Sequence, residues 1–437
     1  MSKTSFTYYL GIIACCICVS CSTPKNANNS VLQVPAYYGA TKDSSNAAKL
    51  NWKQFFNDPT LATLIDSAVA NNYDVKVAQQ RIQASRAEIL YSRGRLLPFL
   101  SAVGSIGQRR FGKYTMDGVG NFDTKFSQNI TQEQIIPEHL PDYYVGLQAS
   151  WEIDIWGKLH HRKKAAVARY LASAEGRNWV VTNLVAEVAD NYYELLALDI
   201  ELDIIRETVV LQKNQLSIIM IEKETGRSNE LAVQQFKAQL LHYQALETEV
   251  VQRVVECENR INMLLGRFPQ TIQRDKNIFL NSLPAQVQVG IPTELLSNRP
   301  DIKQAEYELI ASKLSVKAAR RAFYPALNIN AGLGFQSFNP AYILSPQSLA
   351  YNVLGGLTAP LLNMSALKAE YKNANAAQLQ ALYQYQKSII NGYIEVSNHL
   401  ASINNLKQNF TFKNEESQTL TTAITTATDL YATGRAT

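Results

Sequence analysis

The chain has 437 residues, 46% of them hydrophobic, and 42 Lys and Arg face 37 Asp and Glu for a formal charge of +5. So even a balance, with no long block of like charge, argues against a nucleic-acid partner. Cys15, Cys16, Cys18 and Cys21 crowd the N-terminus and only Cys257 lies beyond, which excludes an internal disulfide framework or a cysteine metal site in the body of the chain.

The N-terminus reads as an export signal. Lys3 precedes an apolar run from Tyr8 to Val19 that is too short to anchor in a bilayer. Val19-Ser20-Cys21 resembles the end of a bacterial lipobox, whose cysteine is acylated, although Cys18 stands where that motif prefers Leu. Ile13-Ala14-Cys15 is a second candidate, and an ordinary secretory signal is the plainer alternative. The polar tether from Ser22 to Ser30 favours lipidation at Cys21. The signal is placed at 1–21 and a tether at 22–50.

A helix is expected over about 58–96, then a strand over 99–110. A second strand, 143–155, alternates Val145, Leu147, Ala149, Trp151 and Ile153 with Tyr144, Gly146, Gln148, Ser150, Glu152 and Asp154. That period of two marks a sheet with one apolar face. From about 160 to 225 the apolar residues recur at Val181, Leu184, Val185, Val188, Tyr192, Leu195 and Leu196, the stripe of a long coiled-coil-like helix. The cluster His161-Arg162-Lys163-Lys164 reads as its solvated start. Gly226 breaks the helix, and another runs from about 229 to 265, where Cys257 is a packing residue. A helix over 292–323, strands over 327–337 and 351–361 and a helix over 366–433 follow. In the first of these strands Leu327, Ile329, Ala331, Leu333 and Phe335 alternate with polar or tiny residues.

The later elements repeat the earlier ones. Residues 71–107 align with 298–334: Asn71 meets Asn298, Asp74 meets Asp301, Arg93 meets Arg320 and Pro98 meets Pro325. In a second register Glu187-Val188 meets Glu395-Val396, and Thr225-Gly226-Arg227 meets Thr433-Gly434-Arg435. One unit is used twice, over 51–285 and 286–437. The first copy has 19 more residues in the loop around 109–142.

Each copy therefore offers two strands between long helices, with nothing adjacent to cover their apolar face. Apolar outside and polar inside is the pattern of a transmembrane barrel segment. Four strands cannot close a barrel, and an open edge is not tolerated in hydrocarbon. Several copies must then share one barrel; three give twelve strands, compatible with an open lumen.

The residues 291–334 (IPTELLSNRPDIKQAEYELIASKLSVKAARRAFYPALNINAGLG), the segment SWEIDIWGKL at 150–159 and the stretch 58–102 resemble the TolC-like outer-membrane efflux proteins, lipoprotein branch, across about 50 to 437. The resemblance implies a mainly α fold with membrane β: a homotrimer with a twelve-stranded outer-membrane β-barrel and a long periplasmic α-helical barrel. It also implies docking to a periplasmic adaptor and an inner-membrane pump of the RND or a similar type. The turns Thr225-Gly226-Arg227 and Thr433-Gly434-Arg435 would be the tips that meet the adaptor. Asp429 would join an acidic ring at the aperture, or else be a solvated helix charge. The second copy lacks a returning helix after Arg435, so the sequence is expected to be a fragment, or else a truncated copy, and not to restore efflux as it stands.

No catalytic constellation, cofactor motif or metal-ligand spacing is visible, and no enzyme activity is expected. Arg299-Pro300-Asp301 reads as a helix cap, with Pro at the first helical position and Asp in the first turn. The alternative function is a periplasmic coiled-coil adaptor or scaffold without a pore; the duplicated strand pair argues against it.

Overall fold

The computed structural model describes residues 35, 37–38, 52–56, 58–276, 292–360 and 364–435; Cys21 and most of the tether lie outside them. The elements in chain order are α1 (Pro59–Asn71), α2 (Tyr73–Gly94), β1 (Phe99–Arg109), α3 (Met116–Asp123), β2 (Leu140–Ile153), α4 (Lys158–Glu224), α5 (Glu230–Leu264), α6 (Pro300–Arg321), β3 (Ala326–Ser337), β4 (Leu349–Thr358) and α7 (Ser365–Ala432). Short turns of helix lie among them, including Leu295–Asn298 just before α6. Among the described residues no helix is long and apolar enough to cross a membrane.

Two expected helices are corrected. The stretch 58–96 is not one helix but two, broken at the buried Asn72. Its Oδ1 accepts from the backbone N–H groups of Asp74 at 2.8 Å and Val75 at 3.2 Å, which caps α2. Its Nδ2 donates to the carbonyl of Leu264, at 2.9 Å, at the end of α5. One side chain thus satisfies orphan groups at two helix ends. The other stretch, 292–323, is helical as a unit only from Pro300, because proline disfavours helical backbone at Arg299, which sits at ψ 121°.

The chain forms two compact units, and each draws on both halves of the sequence. One takes residues from 84–170 and 307–382, the other from 30–83, 171–306 and 383–437.

The second unit holds the main hydrophobic core. Leu184, Val185, Val188, Tyr192, Leu195 and Leu196 of α4 are buried there against Leu61, Ile65 and Ala68 of α1 and Val250, Ile261 and Leu264 of α5. These are the residues of the helical stripe, so the period read from sequence is the packed face. Burying each large side chain contributes ~1.5–3 kcal/mol. Cys257 is buried among them, and its Sγ donates to the Asn191 carbonyl at 3.2 Å.

The first unit holds one antiparallel sheet in the order β1-β2-β3-β4. Register decides what its faces are. Ala102 pairs with Leu147, Leu147 with Leu333 and Leu333 with Tyr351; Gly104 pairs with Val145, Val145 with Phe335 and Phe335 with Leu349. Most apolar residues of the four strands thus share one face, with Phe99, Val103 and Leu354 on the other. Ser101, Gln148, Gly332 and Asn352, also in register, share the other. Leu147, Leu333, Tyr351 and Val353 are exposed on the apolar face. The connection from β1 to β2 covers residues 110–139 and that from β3 to β4 only 338–348, which places the extra residues of the first copy in the former.

Candidate functional site

Two places combine unusual sequence with unusual geometry: the polar face of the sheet and the two Thr-Gly-Arg turns.

On the polar face, Gly146 lies opposite Gly334. A Cβ on Gly146 would come within 2.5 Å of the Gly334 Cα, and the Tyr144 hydroxyl lies 2.7 Å from the same point. Only glycine lets the Tyr144 side chain lie down along this face. Near the loop end of the strands, Asp142 accepts from Arg109 Nη2 at 2.7 Å and from Gln336 Nε2 at 2.8 Å, a polar strap across β1, β2 and β3. At the helix end, Trp151 Nε1 donates to the Leu96 carbonyl at 3.0 Å and Trp156 Nε1 to the Pro325 carbonyl at 2.7 Å. An indole with its N–H satisfied and its ring against apolar surface suits a membrane–water boundary. The sheet therefore has a polar face, an apolar face and a tryptophan-bearing rim.

Just past that rim, Asp154 accepts from the backbone N–H groups of Leu159 at 3.0 Å and His160 at 2.8 Å, and meets His160 Nδ1 at 2.6 Å. Burial opposes its charge, but these bonds outweigh burial and hold the carboxyl below its ordinary range. The basic cluster that follows is not uniformly solvated. Arg162 Nη2 meets Glu370 at 3.1 Å, and His161 is half-buried with an unpartnered Nδ1.

The two Thr-Gly-Arg turns are near-copies. Gly226 sits at φ 72° and Gly434 at φ 70°, the left-handed region that glycine occupies freely. Gly226 N–H donates to the Lys223 carbonyl at 3.1 Å and Arg227 N–H to the Glu222 carbonyl at 2.8 Å; Gly434 N–H donates to the Tyr431 carbonyl at 3.0 Å and Arg435 N–H to the Leu430 carbonyl at 2.9 Å. This is the Schellman closure of a helix end. Thr225 Oγ1 donates to the Glu222 carbonyl at 3.0 Å, and Thr433 Oγ1 to the Leu430 carbonyl at 3.1 Å. So Thr, Gly and Arg each have a local task, and both arginine side chains are left exposed. In the first copy Asn229 then caps α5 through the Ala232 N–H at 2.9 Å, and Lys223 pairs with Glu230 across the turn. That pairing holds the Glu230 carboxyl below its ordinary value. Asp429 is exposed on α7.

Arg299 is a structural node that the sequence reading missed. Pro300 does open α6, as a cap reading requires. Asp301, however, is held by Arg299 through Nε at 3.0 Å and Nη2 at 2.9 Å. The same Nη2 reaches Glu395 of α7 at 2.9 Å, and the guanidinium lies 5.3 Å from the Trp179 ring centroid. Burial opposes the charge, and the bonds to Asp301 and Glu395 overcome it and keep the guanidinium protonated. The aligned position in the first copy, Asn72, is the cap residue that breaks α1 from α2. Among the described residues no group of His, Cys, Asp and Glu could hold a metal ion.

The sequence matches the model of a family described as "Outer membrane efflux protein" over residues 64–267 and 291–437. It is 27% identical over 410 residues to the "Probable outer membrane lipoprotein SilC" of Salmonella typhimurium, covering 92% of this chain and 84% of that protein. It is also 27% identical over 370 residues to the "Toluene efflux pump outer membrane protein TtgI" of Pseudomonas putida, covering 84% of this chain and 75% of that one. The fold is shared with a crystal structure of CusC described in terms of folding and transmembrane channel formation: TM-score 0.78 at 24% identity, over 95% of this chain and 91% of that one.

Proposed function

The chain belongs to the outer membrane efflux protein family, and on that footing we propose that it works as a passive duct with no covalent chemistry of its own. It is the outer-membrane exit channel of a tripartite efflux system, a homotrimer that works with a periplasmic adaptor and an inner-membrane pump. The observation that carries the passive reading is the sheet. Four strands present one mainly apolar face and one mainly polar face in register. Apolar side chains toward lipid and Ser, Gln, Asn and Gly toward water form the wall of an aqueous pore. The pump supplies the driving force, so the duct needs only a lumen.

Within this reading the turns at Thr225, Gly226 and Arg227 and at Thr433, Gly434 and Arg435 are the periplasmic tips that meet the adaptor. Their exposed guanidinium groups give that contact a basic character. Asp429 lies close above the second tip and contributes a carboxylate to the aperture. Acylation at Cys21 adds a lipid anchor, and the two repeats, 51–285 and 286–437, are the evolutionary units. A poreless coiled-coil scaffold is disfavoured, because it has no use for the four strands.

Conductance separates the two. Purified trimer added to a planar lipid bilayer should give stepwise ion conductance; a protein that binds adaptor yet gives no steps would be a scaffold, and the duct reading would fall.

A further inference from the structure

The duplication reaches into the pairing of the strands. The alignment that sets Asn71 on Asn298 also sets Phe99 on Ala326, and the one that sets Glu187 on Glu395 sets Ser150 on Thr358. Phe99 pairs with Ser150, and Ala326 with Thr358. The two alignments thus carry the register of the first strand pair onto that of the second.

The remaining pairing, β2 with β3, joins the end of one copy to the start of the next. In the trimer, which the duct reading above supplies and on which this inference rests, β4 of one protomer must join β1 of its neighbour, because the sheet ends at those strands and no edge stays open in lipid. That seam is again the end of one copy meeting the start of another. Carried over by the same alignments, Gly146 opposite Gly334 becomes Leu354 opposite Gly107. Leu147 opposite Leu333 becomes Gly355 opposite Ile106, and Ala149 opposite Ala331 becomes Leu357 opposite Gly104.

The sizes of these residues match, and nothing in the alignments required it. Ile106 is 82% exposed, Leu354 68% and Leu357 66%, and each meets a glycine. A Cβ built on Gly104 or Gly355 has no described atom within 4 Å, and one on Gly107 has none closer than 3.9 Å. A large side chain from across the seam covers such an edge glycine. Sliding the seam by two residues keeps each face with its like, but sets Gly355 opposite Gly104 in one direction and Gly356 opposite Gly107 in the other. Within the chain, Gly146 opposite Gly334 is roofed by Tyr144, whose counterpart Asn352 lies over Gly332 instead.

We propose that protomers join in this one register, residues 103–109 of β1 against residues 352–358 of the next protomer's β4, with large apolar side chains seated over the edge glycines. Tyr144 opposite Gln336 becomes Asn352 opposite Arg109, so the polar strap through Arg109, Asp142 and Gln336 continues across the seam.

The test is disulfide cross-linking in the full-length protein in the outer membrane. Directly opposed residues have Cα atoms about 4.5–5.5 Å apart, within reach of a disulfide, whereas β1 and β4 of one chain are three strand spacings apart, about 14 Å. Leu354→Cys is combined in turn with Ser105→Cys, Gly107→Cys and Arg109→Cys, all on one face. On mild oxidation the combination with Gly107→Cys should give several-fold more boiling-resistant dimer and trimer than either of the others. Strongest cross-linking at 105 or 109 would overturn the register. Unboiled trimers without a cross-link in any combination would overturn it too and leave the duct reading intact. Absence of unboiled trimer from the unsubstituted protein would remove both. If cysteines at 107 and 354 prevent assembly, the lipid-face pair decides. Ile106→Gly should lower the temperature at which unboiled trimers dissociate, and adding Gly355→Ile should restore most of the loss; two losses that simply add would overturn the register.

Discussion

At the residue scale, four positions carry sharp consequences. Gly226 and Gly434 have no atom near a built Cβ, so substitution there costs backbone strain and nothing else. Gly226→Ala should cost about 1–2 kcal/mol at that helix end, and Gly226→Asn less, because Asn tolerates the left-handed region. Helicity and trimer melting of the two variants, measured side by side, check the order. Arg299→Met keeps the bulk of the side chain but strands Asp301 and Glu395. Since Glu395 is half-exposed, the loss should be roughly 2–4 kcal/mol rather than the full value for a buried pair. Heat dissociation of the trimer reports it, and Arg299→Lys should rescue only part, because an ammonium cannot form the fork. Asp154 sets a pH dependence. Its carboxyl is held below the ordinary 3.8, so its contribution is fully present above that value and is lost as pH falls through the lowered one. Asp154→Asn should flatten the acid limb of a plot of trimer melting temperature against pH between neutral and about 3.

At the scale of the element, the strands are the test of which face meets lipid. Leu333 and Asn330 lie on opposite faces of β3. Leu333→Arg places a charge toward hydrocarbon and should cost about 2–4 kcal/mol near mid-membrane, whereas Asn330→Arg faces water and should be tolerated. The yield of heat-sensitive trimer in outer-membrane extracts distinguishes them; equal yields would mean the faces are assigned wrongly. The helices obey the same logic with a different period. The α4 stripe from Leu184 to Leu196 is buried because 3.6 residues per turn bring those positions to one side, where α1 and α5 cover them.

At the scale of the molecule, the sheet decides how the chain behaves. The four strands form a sheet whose apolar face is exposed at Leu147, Leu333, Tyr351 and Val353. Association is then a requirement of the fold, and this predicts a trimer in detergent extracts that only heat resolves to monomer. Recovery as a soluble monomer would contradict it. The two copies also show where equivalence ends. Their Thr-Gly-Arg turns share a hydrogen-bond pattern, yet the aligned Asn72 and Arg299 solve different problems, one capping two helices and the other bridging to α7.

What the sequence determined by itself was local and periodic. Alternation along 143–155 and 327–337, the stripe in 160–225 and the glycines at 226 and 434 follow from backbone geometry, which a few neighbouring residues set alone. The helix break at Asn72 was illegible, because no proline or glycine marks it and its partner carbonyl, on Leu264, lies 192 residues away in the chain. The Arg299 node was hidden for the same reason: a cap signature is local, but Glu395 and Trp179 come from remote helices. The register that gathers most apolar residues of the four strands onto one face was likewise settled only by the fold. Period two says that a strand has two faces, and only pairing with its neighbours decides that those faces coincide.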